Sequence, residues 1–473
     1  MPRAALLLRL PGWALRAAGG PRAAPQRGPG RPRAGIARGL AAAAADGGAG
    51  GPGGGRGEAA AAADGDDGDE ETLAFPGAAG GAPIPLTRKL RVEVPEDRAA
   101  APCFRQLDST GQPLPGAEGQ AVGEDLARRM HRAMVRLQTM DTIFYEAQHM
   151  GKISFYMTSF GEEASVIGSA AALADEDQVF AQYREQGVLL WRGYTFREFA
   201  NQCYGNKLDP NKGRQMPVHY GSKAHNFHTV SSPLATQLPQ AVGAAYALKA
   251  GGAPGVAVCY FGEGAASEGD FHAALNFAAT LAAPVLFICR NNGFAISTPA
   301  SEQYRGDGIA GRGMAYGIPS IRVDGGDALA VYSATRAARD LILERRGPVL
   351  LEAMSYRVGH HSTSDDSSRY RTADEMKAWQ ARDPVVRFQM FLEAQGWWDE
   401  ELEVKLRKEA RAEVIEALDF AEEQDKPALD EMFRDVYHEM PPLLREQERA
   451  VLAHVERHPA ERPPDVPLAT SSP

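Results

Sequence analysis

Through the middle of the chain, short apolar runs alternate with stretches of helical periodicity, and few folds accept that order. One run ends at Gln182-Tyr183-Arg184. A helical stretch at 234–250 then precedes a run at 256–261, another at 271–281 precedes a run at 284–289, and a third at 328–345 precedes a run at 349–354. Strands separated by helices of this length pair in parallel, so the expected class is α/β: a parallel sheet flanked by helices on both faces. Ahead of it, Leu126, Met130, Met134, Leu137, Met140 and Phe144 recur at three- and four-residue steps, the mark of a long amphipathic helix. Behind it, Asp399 can cap a charged helix reaching about Gln424.

In an open parallel sheet, ligands bind outside the carboxyl ends of the strands. Here those ends read Gln182-Tyr183-Arg184, Gly262-Glu263-Gly264, Arg290-Asn291-Asn292 and Gly359-His360-His361-Ser362. All are polar, glycine-rich or cationic. Gly262-Glu263-Gly264-Ala265-Ala266 joins a strand to a helix, where glycine lets backbone approach a ligand and free amides face an anion. Arg290 offers a two-pronged phosphate donor, and one acid with one amide oxygen describes a partly hydrated magnesium ion. A dinucleotide site would want a third glycine and an acid about 20 residues on. Ser267 holds that third position, and the next strand ends in arginine and asparagine. Singly, these features fit a tight turn, a capped loop and a solvated cation. At this spacing they point together to a diphosphate and a divalent ion.

Gly262-Glu263-Gly264 followed, after 26 intervening residues, by Asn291-Asn292 resembles the motif of thiamine-diphosphate enzymes normally written GDG to NN. Glutamate lengthens the arm to the metal by one methylene. The likeness continues through Gln182-Tyr183-Arg184-Glu185, Gly213-Arg214-Gln215-Met216-Pro217-Val218-His219-Tyr220, Ser231-Ser232-Pro233-Leu234-Ala235-Thr236-Gln237, Ala295-Ile296-Ser297-Thr298-Pro299 and Gly359-His360-His361-Ser362-Thr363-Ser364-Asp365-Asp366, across roughly residues 75–445. It is to the alpha subunits of branched-chain 2-oxo acid dehydrogenases. A pyruvate dehydrogenase-type alpha subunit is the alternative, disfavoured by Gly293-Phe294-Ala295-Ile296-Ser297-Thr298 and by His360-His361-Ser362-Thr363-Ser364.

The resemblance implies a thiamine-diphosphate-binding fold that decarboxylates branched-chain 2-oxo acids and passes the acyl group to the lipoyl group of a dihydrolipoyl acyltransferase core. It implies magnesium on Glu263, Asn292 and the Phe294 carbonyl, and potassium at Ser231, Pro233, Thr236 and Gln237. Cofactor contacts fall on Gln182, Tyr183, Arg184, Ser232, Gly264, Ala265, Arg290 and His361, with Tyr183 and Leu234 in the acyl pocket. His361, given a near-neutral pKa, would be the catalytic histidine. Ser362 and Thr372 match phosphorylation sites served by a regulatory kinase and phosphatase, and Thr372-Ala373-Asp374-Glu375 also reads as a helix capping box. The loop 362–371 is expected to be mobile until cofactor binds, and a phosphate beside Asp365 and Asp366 would repel its ordering. A single diphosphate motif with no repeated α/β half is half an active site, so a beta subunit is expected in a two-alpha two-beta heterotetramer.

Charge and composition place the rest. Residues 1–45 hold eight arginines and no acid, with Leu6, Leu7, Leu8, Leu10, Trp13 and Leu15 among them. This reads as a mitochondrial targeting presequence, because Arg9 breaks the apolar stretch a secretory signal needs, and the destination is the matrix. Residues 46–74 are expected to form a disordered low-complexity linker and 75–120 an extended arm, with extended pieces such as 90–94, laid over a neighbouring surface. The cofactor-binding α/β domain is set at 121–395, a C-terminal helical region at 396–460 and a flexible tail at 461–473. A net charge of −10 leaves about −18 outside the presequence, which disfavours nucleic acid as a partner. No apolar run approaches the roughly 18 residues of a membrane span. The four cysteines lack metal-ligand spacing and read as free, buried thiols.

Overall fold

A computed structural model describes residues 72–74, 77, 82–94 and 99–469. The expected presequence and nearly all of the expected linker lie outside the described residues. The chain divides into two compact units, residues 1–91 and 92–473. In the first, β1 (Thr72–Ala74) pairs antiparallel with β2 (Pro83–Pro85). Residues 90–94, expected to include an extended piece, join no strand.

In the second unit, α1 (Glu124–His149) and α2 (Glu163–Ala172) precede β3 (Gln178–Phe180), and α3 (Gln186–Trp191) and α4 (Phe196–Tyr204) lead to β4 (Phe227–His228). Then α5 (Gln237–Gly251), β5 (Ala257–Gly262), α6 (Gly269–Leu281) and β6 (Val285–Asn291) alternate. A ribbon of β7 (Phe294–Ala295) and β8 (Thr298–Pro299), followed by α7 (Ala300–Gln303) and α8 (Ala310–Ala315), reaches β9 (Ser320–Asp324), α9 (Ala328–Arg345) and β10 (Val349–Met354). The helices α10 (Ala373–Gln380), α11 (Pro384–Ala394), α12 (Glu400–Glu422) and α13 (Pro442–Arg457) follow.

Six strands form one parallel sheet in the order β4-β3-β5-β6-β10-β9. Side chains alternate across it, as the strand repeat of two requires. Ala257, Cys259 and Phe261 of β5 and Val285, Phe287 and Cys289 of β6 meet Leu238 and Val242 of α5 and Phe271 and Leu275 of α6. The intervening Val258, Tyr260, Leu286 and Ile288 join the opposite core with Val166 and Ile167 of α2 and Val331 of α9. Helices therefore cover both faces, as expected. All four cysteines are free, but Cys103 is exposed rather than buried, because it lies in the surface segment ahead of α1.

The expected helices and strands are present, and α9 and β10 match at both ends. Helix α5 starts three residues later than expected, since Ala235 at φ 67° lies off the helical path. Strands β4 and β9 were not anticipated. The first has two residues, and the second, Ser-Ile-Arg-Val-Asp, alternates polar with apolar at the sheet edge and offers no continuous apolar run. Asp399 caps α12 as expected, accepting from the Leu402 amide at 2.8 Å. Residues 465–467, expected to be loose, accept backbone hydrogen bonds from Lys426 and Leu429 at 2.7 and 2.8 Å. Pro467 has no N–H to donate but keeps its carbonyl, and Val466 donates to the Pro463 carbonyl at 3.1 Å. No helix among the described residues is long and apolar enough to cross a membrane.

Topology fixes where a ligand can sit. From β3 the chain moves outward to β4, whereas from β5 it moves the other way to β6, so the strand order reverses between β3 and β5. At such a switch point the connections leave in opposite directions and open a crevice at the carboxyl ends. Residues 182–184 and 262–264 border it.

The segment before α1 is fastened to the far edge. Phe104 bridges Val323 of β9, and Asp327 accepts the amides of Gln106 and Leu107 at 2.7 and 2.6 Å while capping α9 through Ala330. Asp327 is fully buried. Asp327→Ala should cost about 3 kcal/mol, because it removes a cap and strands one buried donor, at Leu107, and one partly buried donor, at Gln106. Thermal unfolding, with faster hydrogen exchange at the Gln106 and Leu107 amides, checks this.

Candidate active site

At the end of β3 the backbone folds around its own glutamate: Glu185 Oε2 accepts the amides of Gln182, Tyr183 and Arg184 at 2.8, 3.1 and 3.2 Å. Gln182 reaches across the switch point and accepts the Gly262 amide at 2.8 Å, which registers this loop against the next. Arg290, at the end of β6, donates from Nε to Glu185 Oε1 at 2.5 Å and from a terminal nitrogen to Glu162. Glu162 in turn accepts from Asn292 Nδ2 at 2.5 Å. All these side chains are buried. A buried charge is tolerable only with partners, and here one guanidinium lies between two carboxylates. Burial opposes ionisation of Glu162, but Arg290 and then Arg184 outweigh it and hold its carboxyl below the usual range.

Glu263 differs. Its Oε2 accepts the Asn292 amide at 3.3 Å, while its Oε1 is buried without a partner. Burial, the largest influence, pushes its carboxyl up to about 7. Such an orphaned oxygen beside an amide side chain is the donor set a hard cation takes, and it fits a magnesium ion whose other ligands come from elsewhere. Among the described residues no cluster of three or more acidic, histidine or cysteine side chains gathers as a metal cage. The neighbouring Asn291 is not equivalent. Its Nδ2 donates to Glu352 and Tyr304, because successive residues at a strand end point to opposite faces.

His361 lies across the crevice. Its Nδ1 is 3.2 Å from terminal nitrogens of both Arg184 and Arg357, and its carbonyl accepts from Arg184. Guanidinium groups only donate, so Nδ1 must accept and the ring proton belongs on Nε2. Burial first, then Arg184 and Arg357, push this histidine down to about 3, well below the near-neutral value expected. It is a neutral imidazole at physiological pH.

A cavity of about 240 Å³ gathers Gln182, Tyr183, Arg184, Leu234, Glu263, Gly264, Ala265, Arg290, Asn292, Phe294 and His361, together with Arg357. Eleven positions singled out in the sequence therefore line one space. Arg290, expected to present a free fork to phosphate, is instead committed to Glu185 and Glu162. Ser232 is not in this lining. It is exposed, with its hydroxyl 2.7 Å from His219 Nε2. Of the residues expected around potassium, Thr236 donates to the Pro233 carbonyl at 3.1 Å and Gln237 to the Tyr260 carbonyl at 3.0 Å, while Ser231 is partly buried.

The loop 362–371, expected to be mobile, is folded against the site. Asp365 accepts from the His361 amide and the Tyr370 hydroxyl, Ser367 bonds His360, and Arg371 donates to the carbonyls of Arg357 and Gly359. Ser362 is buried within it. Only half of the expected capping box forms: Thr372 accepts the Glu375 amide, but the Glu375 carboxylate takes the Tyr356 hydroxyl instead. Sequence reasoning missed Glu162 and Arg357 and gave Glu185 no role. Glu185 stood inside a quoted motif, whereas nothing in local pattern distinguishes the other two.

A switch-point crevice with a Gly-Glu-Gly turn on one strand and Arg-Asn-Asn on the next defines the thiamine-diphosphate-binding class of α/β enzyme. Residues 131–430 match the model of the dehydrogenase E1 component family. The chain is 54% identical over 401 residues to the Arabidopsis thaliana protein named 2-oxoisovalerate dehydrogenase subunit alpha 2, mitochondrial, covering 85% of this chain and 84% of that one. It is 53% identical to the corresponding mitochondrial alpha subunit of Mus musculus over 392 residues (83% and 88%), and 53% to that of Caenorhabditis elegans over 372 residues (78% and 86%). The chain belongs to the dehydrogenase E1 component family.

The depressed pKa of His361 has a consequence for stability. An imidazole titrates near 6.5 in the unfolded chain but only near 3 here, so the unfolded state binds the extra proton and stability falls as pH drops below about 6.5. His361→Gln removes that proton uptake. Its melting temperature relative to the parent should rise as pH falls from about 7 to about 5, and parallel curves would contradict the assignment.

Proposed function

We propose that this chain is the alpha subunit of a mitochondrial matrix 2-oxo acid dehydrogenase acting on branched-chain 2-oxo acids, a 3-methyl-2-oxobutanoate dehydrogenase (2-methylpropanoyl-transferring). The carrying observation is the unpartnered Glu263 Oε1 beside Asn292 at the switch point. Glu263, Asn292 and the Phe294 carbonyl would hold magnesium. Gln182, Tyr183, Arg184, Ser232, Gly264, Ala265, Arg290 and His361 would surround the cofactor, and Ser231, Pro233, Thr236 and Gln237 would hold potassium. The chemistry supplied by bound thiamine diphosphate is decarboxylation of the 2-oxo acid and delivery of the acyl group to a lipoyl disulfide.

The chain's own residues prepare that space. Gly264 admits close backbone approach, since a Cβ there would lie 2.6 Å from Ala295 Cβ. Arg184 and Arg357 supply positive charge against the diphosphate, and neutral His361 holds its proton on Nε2 as a donor. Tyr183 packs edge-on to His361, with Leu234 in the same wall, and together they would meet the branched acyl chain. The carboxylate that must meet the aminopyrimidine is assigned to a beta subunit, in a two-alpha two-beta tetramer docked on a lipoyl-bearing acyltransferase core. A kinase and phosphatase acting at Ser362 and Thr372 would regulate it. A phosphate on Ser362 cannot share the buried position its hydroxyl occupies, so modification would open the loop.

Co-expression with a beta subunit should give decarboxylation of 3-methyl-2-oxobutanoate well above that of pyruvate; the reverse order would overturn the substrate assignment. Glu263→Gln should weaken magnesium-dependent cofactor affinity by at least about tenfold, as loss of an ionic ligand requires. Unchanged affinity by calorimetry would remove the metal site. Ser362→Glu should abolish turnover with lipoyl acceptor, and full turnover would refute loop blocking.

A further inference from the structure

The magnesium site proposed above needs an amide oxygen from Asn292, yet an asparagine amide can turn over and present nitrogen instead. One neighbour prevents this. Glu162, 1% exposed, places Oε1 2.5 Å from Asn292 Nδ2 and Oε2 against a terminal nitrogen of Arg290. A flipped amide would set Oδ1 against that carboxylate oxygen, two acceptors at hydrogen-bond distance in a buried site with no proton between them. The amide oxygen therefore always faces away from Glu162, where its partner is the Phe294 amide at 3.2 Å.

Glu162 does not itself swing, because Arg290 is held from the other side. Arg290 Nε is bound to Glu185 Oε1, and Glu185 Oε2 gathers the three amides of residues 182–184. The series Glu185, Arg290, Glu162, Asn292 is continuous and buried.

We infer that Glu162 is a positioning residue for the divalent ion: it never touches the ion but fixes the orientation of Asn292, and Arg290 fixes Glu162 in turn. This rests on the reading of Glu263 and Asn292 as metal ligands. It explains why a carboxylate outside the cofactor cavity, on the segment before α2, is placed against the residue expected to bind the ion.

The test is a double-mutant cycle in the assembled complex with a beta subunit, stripped of cofactor and metal. Magnesium half-saturation is measured at fixed thiamine diphosphate by tryptophan fluorescence, alongside the melting temperature of the metal-free protein. Glu162→Gln should raise the magnesium half-saturation about 10- to 100-fold, the usual range for a residue that orients a ligand. In an Asn292→Ser background, which keeps an oxygen but has no amide to orient, Glu162→Gln should change half-saturation less than about twofold, the accuracy with which independent effects add. The fall in melting temperature should be similar in both backgrounds. An equal rise in half-saturation in both backgrounds, or none in either, overturns the inference. If Glu162→Gln does not assemble, Glu162→Asp keeps the charge facing Arg290 but withdraws it by one methylene, and the same cycle applies; failure of both variants to assemble assigns Glu162 to core integrity and overturns the positioning role. Should Asn292→Ala, which offers no side-chain oxygen, leave half-saturation unchanged, the metal-ligand reading itself fails and the inference falls with it.

Discussion

The structure around the crevice depends on the ion pairing of one arginine. Arg290 sits at the end of a central strand, fully enclosed, with a carboxylate on each side. An isolated guanidinium there would carry a desolvation cost of several kcal/mol, and removal of either acid would leave part of its donor fork without a partner. The two glutamates come from different parts of the chain, Glu162 from just ahead of α2 and Glu185 from the loop after β3. Three segments remote in sequence are thereby brought to one point. The loop that borders the crevice, the turn that carries Asn292 and the start of α2 are positioned as a unit, and the site can be shaped before anything binds.

How much of this could be read from sequence varies with the kind of signal. Strand β10 and helix α9 were legible because both are long and strongly patterned, while β4 and β9 were not, because an edge strand with alternating polarity has no apolar run to mark it. Gly262 to Gly264 and the paired asparagines were legible because a cofactor spanning two adjacent strand ends fixes their separation. Which asparagine faces the crevice came only from the resemblance, which singled out Asn292, since both are amides and in the fold the strand register separates Asn292 from Asn291. Glu162 and Arg357 escaped for another reason. Glu162 owes its role to a contact made across 130 residues to Asn292, which leaves no local periodicity, and Arg357 to its contact with His361 four residues on in a loop that no helix or strand repeat marks.

His361 shows how environment overrides residue type. From sequence, a histidine at a strand end suggests a group that titrates near neutrality. Enclosed beside two guanidinium groups, it becomes instead a fixed hydrogen-bond donor with one defined tautomer. Burial does most to keep the imidazole uncharged, and the same two arginines that would face an anion add to it.

The burial of Ser362 bears on timing rather than on geometry. A hydroxyl packed beneath its own loop can be reached by another enzyme only during excursions in which Arg371 releases the carbonyls of Arg357 and Gly359. When such excursions close again faster than an enzyme can act, the rate of any chemical change at that hydroxyl follows the fraction of time the loop spends raised, multiplied by the concentration of the visiting enzyme. Ligands that hold the loop down would then slow the change simply by lowering the fraction of time it spends raised.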